Sequence, residues 1–185
     1  MSKPESTQRT AIYPSIEPDQ FEKSLAGKLA YALAESGASV TITARTQNQA
    51  DETAEELSKS FPNVKVIGFI GDVCKRTDLE SLVKEVTTKL GPIDILINNA
   101  GTNTFMPLHI TDADEWWKQM EISVKAPAEL TRIVLPSMQE RNSGTIIFTS
   151  SRAAEVDLPW ASGYSCAKTA ITRFGGVLQT ELNIL

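Results

Sequence analysis

Two cysteines and a single histidine in 185 residues leave little material for a disulfide framework, a metal centre or histidine-based catalysis. Cys74 and Cys166 form neither a paired framework nor a metal-ligand spacing, and a reducing compartment is the simplest setting for them. Positive charge is short as well. Eighteen Lys and Arg against 23 Asp and Glu give a net charge of -5, with no basic patch of interleaved aromatics. Electrostatic capture of nucleic acid or of an anionic membrane is therefore not expected. No apolar run approaches the ~20 residues needed to cross a bilayer. The first twenty residues are polar, hold Pro4, Pro14 and Pro18, and lack the apolar core of a secretory signal. A cytoplasmic protein without membrane or metal is the expectation. Glycine, too, is sparse at the start: no cluster of it occurs before Gly68.

What is present is ordinary soluble-domain material, 41% hydrophobic and 22% charged, in a length that suits one core. Residues 1–20 read as a disordered polar tail, in which Pro14 and Pro18 disfavour a helix. Beyond them the periodicity alternates between helix and strand. Leu25, Leu29 and Leu33 recur at helical spacing, with Gly37 as the stop. Ser39 to Ala44 predicts a strand, 52–60 a helix and Val64 to Ile70 a second strand. Leu79, Leu82, Val83, Val86 and Leu90 mark an amphipathic helix that Gly91-Pro92 ends, before a third strand at Ile93 to Ile97. A long helix is predicted over 112–138, capped by Asp112 or Thr111. A fourth strand at Thr145 to Thr149 and a last helix over 162–182 complete the series. Short apolar strands alternating with helices imply one α/β domain, over 21–185, with a parallel sheet covered on both faces.

Tyr164 and Lys168 stand four residues apart at the start of that last helix, so they share a face about 5–6 Å apart at Cβ. An ammonium so placed favours phenolate over phenol, which suits a tyrosine to proton transfer. By itself such a pair is commonly an exposed helical contact. Ser151 lies thirteen residues earlier, at the C-terminal end of the Thr145–Thr149 strand, the edge where ligands bind a parallel sheet. Asn98-Asn99-Ala100-Gly101 and Asp72-Val73 follow the third and second strands at the same edge. In order, spacing and strand-end placement this set resembles the short-chain dehydrogenase/reductase family, from about Leu29 to Leu182.

The resemblance implies a Rossmann-like, doubly wound sheet and an oxidoreductase that interconverts a carbonyl and a secondary alcohol by hydride transfer. Tyr164 would give or take the proton, Lys168 would favour its phenolate and hold the nicotinamide ribose, and Ser151 would hydrogen-bond the substrate oxygen. Ser150 should point elsewhere by strand alternation. Asp72, Val73, Asn98, Ala100 and Gly101 would line the cofactor site, with capping of the following helix as the alternative role for Asp72. Arg45 follows the Ser39–Ala44 strand where the adenosine ribose would lie, and arginine there accommodates a 2′-phosphate, which favours NADP(H) over NAD(H). Its alternative is a solvated arginine at a helix start. His109 reads as a surface or loop residue, Cys166 as a packing residue, and Trp160 as a pocket residue or a buried structural one. Helices 112–138 and 162–182 resemble the pair through which the family forms dimers.

Three departures from the family accompany the match. Its first strand and T-G-x-x-x-G-x-G turn, which cradles the pyrophosphate on backbone N–H groups, have no counterpart before Leu29. An internal deletion would leave a gap of about 9.5 Å in the sheet, flanked by unpaired ladder groups. Thr10 to Tyr13 is the only spare strand-like piece, and it is expected to fill the slot poorly or not at all. Ser123 replaces the asparagine that holds a relay water next to the lysine, and the chain stops at Leu185, before the family's later strands and substrate loop. Loss of the phosphate cradle should weaken cofactor binding by several kcal/mol. Two functions follow: an NADP(H)-dependent reductase acting on a small carbonyl or alcohol, or an inactive form serving at most for dimerisation.

Overall fold

A computed structural model of the chain describes residues 9–14 and 25–184. Five strands form one parallel sheet in the order β3-β2-β1-β4-β5, with β1 at Thr10–Pro14, β2 at Ser39–Ala44, β3 at Val66–Ile70, β4 at Ile95–Asn98 and β5 at Thr145–Phe148. The helices are α1 (Leu25–Glu35), α2 (Gln47–Ser60), α3 (Arg76–Leu90), α4 (Ala113–Met120), α5 (Ala126–Glu140) and α6 (Ser162–Leu182). The parallel sheet is the one expected from the alternating periods and its order the doubly wound one that the resemblance implies, and no strand follows β5 among the described residues.

The central slot is filled. Thr10–Pro14 pairs in parallel with β2 through five residues, from Thr10 opposite Ser39 to Pro14 opposite Thr43, and with β4 through Ala11 and Ile12. The expectation of a missing first strand is corrected here, as is that of a disordered tail over residues 10–14. Residues 1–8 and 15–20 of that tail lie outside the described residues. The physical reason is plain. Thr10, Ala11 and Ile12 are at most 1% exposed, so a three-residue apolar and β-branched core suffices to hold the strand between two neighbours. Pro14 is the last residue of the strand and lies beyond the Ala11–Ile12 stretch that pairs with β4.

Asp94, just before β4, anchors the start of β1. Its Oδ2 accepts from the Thr10 backbone N–H at 3.0 Å, its own N–H donates to the Thr10 carbonyl at 2.9 Å, and its Oδ1 pairs with Arg141 at 2.8 Å.

Both faces of the sheet are covered. Ile12, Leu96 and Phe69 meet Leu79, Leu82 and Val86 of α3 and Leu130, Val134 and Met138 of α5 on one face. Val40, Ile42 and Ile97 meet Ala30 and Ala34 of α1 and Leu57 of α2 on the other. Gly37 and Gly91 end α1 and α3 in left-handed backbone (φ 86° and 91°), as the stop signals predict. The long helix runs over 113–140, with Asp112 capping it through bonds from the N–H groups of Asp114 and Glu115. It is not uniform: Glu121–Lys125 winds as a π-turn.

Candidate active site

Because all five strands are parallel, their C-terminal ends share one edge, and the loops leaving it carry the residues singled out from sequence. Two of the residues singled out, Lys168 and Ser123, meet at Gly101. A Cβ built there would stand 3.6 Å from Lys168 Nζ and 3.7 Å from Ser123 Oγ, so a cation, a hydroxyl and an open backbone surface face one another.

Each is held by its own element. Ser123 sits on the π-turn, whose widened winding shifts the side-chain register midway along the long helix, a device frequent at functional sites. It is 2% exposed, and its hydroxyl has no hydrogen-bond partner among the described residues. Lys168, on α6, is 4% exposed; its Nζ donates to the Thr149 carbonyl at 2.7 Å and lies 5.7 Å from the centre of the Tyr164 ring. Burial lowers the pKa of its ammonium below the ordinary lysine range. The start of α6 is fixed against α4: Trp116 Nε1 donates to Ser162 Oγ at 3.0 Å. A Cβ on Gly163 would come within 2.9 Å of the Gln119 amide nitrogen, so glycine there permits the close approach.

Asn98 ends β4, with its side chain donating to Thr131 Oγ1 of α5 at 3.4 Å and its carbonyl accepting from Thr149 N–H at 2.9 Å. Thr149 thus links β4 to Lys168. Ser151 Oγ accepts from the Ala153 N–H at 3.2 Å, while the Ser150 hydroxyl pairs with that of Thr172 on α6. The two serines face different partners. Val73 and Ala100 share a small apolar pocket with Leu79, Asn98 and Leu130, which brings the ends of β3 and β4 together.

Asp72 does not cap α3. Its Oδ1 accepts from Cys74 N–H at 3.0 Å and its own N–H donates to Asp78 Oδ2 at 2.9 Å, closing the turn after β3. The thiol of Cys74 is pushed up to about 11, by burial first and then by Asp72 and Glu121, so it stays an inert thiol at neutral pH. Arg45 stands exposed on the bend after β2, two strand positions from β4 and outside the cluster. His109 is exposed on a 3-10 turn, Leu108–Ile110.

Three features escaped the sequence reading. The Thr149 carbonyl is backbone and leaves no trace in residue type. Gln119 is 1% exposed and accepts from the Thr104 N–H at 3.4 Å; its position, four residues before Ser123 on one helix face, was the available signal. Trp160 is 63% exposed, against the buried structural role and not against the pocket-lining one, and its left-handed backbone (φ +67°) has no signal in residue type.

The family model described as short chain dehydrogenase matches residues 22–184. The chain is a short-chain dehydrogenase/reductase family member. Among curated relatives it is 37% identical over 186 residues to a short chain dehydrogenase of Pseudocercospora fijiensis, covering 92% of this chain and 60% of that protein. It is 36% identical to human dehydrogenase/reductase SDR family member 4, covering 83% of this chain and 55% of that one. This family member therefore spans between about half and three-fifths of the length of these relatives. Among solved structures, L-sorbose reductase from Gluconobacter frateurii, complexed with NADPH and L-sorbose, superposes with a TM-score of 0.85 at 27% identity. That match covers 95% of this chain and 64% of the other. The family match starts after β1, whereas the structural match takes in nearly the whole chain.

Proposed function

We propose that this family member is an NADP(H)-dependent oxidoreductase that interconverts a carbonyl and a secondary alcohol. The observation that carries the reading is the convergence of the Lys168 ammonium and the unpartnered Ser123 hydroxyl on Gly101, with the Tyr164 ring 5.7 Å from Nζ. A buried cation and a buried hydroxyl lacking a partner fit the ribose and nicotinamide end of a dinucleotide, which offers hydroxyl groups to both. When bound, that cofactor supplies the hydride.

The chain's own groups then divide the remaining work. Tyr164 gives its hydroxyl proton to the substrate oxygen in reduction and takes it back in oxidation. Ser151 donates a hydrogen bond to the same oxygen as charge grows there. Lys168 binds the ribose through its buried ammonium, beside the Tyr164 ring. Ser123 holds a water next to Nζ in place of the family's asparagine. Asp72, Val73, Asn98, Ala100 and Gly101 line the remainder of the cofactor site, and Arg45 takes the 2′-phosphate that distinguishes NADP(H) from NAD(H). The NADPH complex of the L-sorbose reductase supports a nicotinamide cofactor. Helices over 112–138 and 162–182 form a homodimer in this reading, and the protein is cytoplasmic.

One observation favours the inactive form instead. Residues 15–24, between β1 and α1, contain no glycine and set Glu17, Asp19 and Glu22 against Lys23, a poor composition for a pyrophosphate. These residues lie outside the described ones. Turnover decides between the two: with NADPH and a panel of carbonyl compounds, Tyr164→Phe should lower the rate by roughly 10²–10⁴-fold at unchanged Tm. Absence of NADPH oxidation by a folded wild-type chain across the panel would leave only dimerisation.

A further inference from the structure

The apolar surface of this molecule is unevenly distributed. Among the described residues, six of the eleven exposed large hydrophobic side chains lie on two loops: Phe105, Met106, Leu108 and Ile110 after β4, and Leu158 and Trp160 after β5. Both loops leave the candidate site directly. The first begins at Gly101, beside Lys168 and Ser123, and the second runs from Ser151 to the helix that carries Tyr164. They are tied to each other, since the Met106 N–H donates to the Trp160 carbonyl at 2.9 Å, and the first is tied to α4 through Thr104 and Gln119. Thr111 Oγ1 donates back to the carbonyls of Met106 and Pro107. The surface is therefore preformed.

Trp160 is the second observation. A tryptophan at φ +67° carries a backbone conformation that L side chains rarely adopt, and at 63% exposure it recovers little of that cost by burial. Strain of this kind clusters at active sites and ligand clamps, where the surrounding structure holds it. The rim narrows the ligand's chemistry. Asp112, Asp114, Glu115, Glu155 and Asp157, all exposed, lie within or next to the two loops in sequence against Arg152 and Lys118, an acidic excess that disfavours a phosphorylated or carboxylated substrate and an anionic lipid surface.

We propose that the substrate is an uncharged carbonyl compound or alcohol with a long or bulky apolar substituent, held by the 105–110 and 158–160 loops. This rests on the oxidoreductase reading for the reaction but not for the binding, which needs no cofactor. Contiguous apolar surface beside convergent polar groups is the usual form of a small-molecule site.

Binding of 2-alkanones from 2-pentanone to 2-nonanone, followed by ligand-observed NMR without cofactor, tests it. Affinity should rise about fourfold per added methylene, the factor set by burying one CH₂. Trp160→Gly should weaken 2-nonanone binding at least tenfold while leaving Tm equal or higher, because glycine relieves the strained φ. Phe105→Ser should weaken it independently. Affinity flat in chain length, or unchanged in both variants, overturns the proposal. So does a dimer that sediments apart in either variant, since a second copy would then cover the patch. Chain-length-dependent binding without turnover would sink the hydride reading alone, and turnover of small ketones without chain-length dependence would sink this one alone.

Discussion

Ser123 and Lys168 are the two residues whose burial is hardest to justify by packing. A hydroxyl shut away without a partner destabilises the fold by about 1–3 kcal/mol unless something fills its hydrogen-bonding capacity. Ser123→Ala, which takes away the hydroxyl that the proposed relay water binds, should therefore lower Tm, at roughly 2–4 °C per kcal/mol for a chain of this size. A thermal scan showing a raised Tm would mean that the hydroxyl holds no water. Lys168 gives a test in pH. Its folded pKa lies below the ordinary 10.5, so the unfolded chain binds that proton more tightly. The buried charge then penalises the fold at every pH below the folded value, and the penalty fades as pH rises from there toward 10.5. Wild type should gain stability relative to Lys168→Met across that alkaline window, read from urea midpoints, and a gap moving the other way would contradict the burial.

At this scale the sequence was most readable where chemistry depends on spacing. Tyr164 and Lys168 both lie on α6, with Nζ 5.7 Å from the Tyr164 ring, and Ser151 lies past β5 at the start of the 3-10 turn Arg152–Ala154. Contacts made through backbone, such as Lys168 to the Thr149 carbonyl, and the left-handed backbone of Trp160 have no spacing to read.

Among the elements, β1 separates local from tertiary information. Five residues ending in proline and following a polar run carry too weak a periodic signal to stand as a strand alone. Between β2 and β4 the same residues satisfy ladder groups that would otherwise be orphaned, and this tertiary demand decides their state. Amide exchange checks it directly. The N–H groups of Ala11 and Ile12 should exchange only through global unfolding, at the rate of the β2 core; fast exchange there would return the sheet to a gapped one. The strand at 39–44 and the helix at 162–182 match their expected bounds to the residue, the first from an unbroken β-branched and small-residue run and the second from its helical periodicity. The long helix was legible in extent but not in its π-turn, which depends on how Ser123 must face Gly101 rather than on any local preference.

For the molecule as a whole, the five-stranded Rossmann-like sheet gathers Gly101, Ser123, Tyr164 and Lys168 at one edge, while the sequence of residues 15–24, between β1 and α1, is glycine-free and acidic. Both facts bear on one quantity, the free energy of dinucleotide binding. Calorimetric titration of the folded chain with NADPH, and with NADH for comparison, measures it. The account predicts saturable binding, tighter for NADPH and weakened at least tenfold by Lys168→Met, since a charged hydrogen bond contributes about 1.5–3 kcal/mol. No saturable heat from a chain that unfolds cooperatively would contradict it, leaving the Tyr164–Lys168 pair as an inherited arrangement without a cofactor to serve.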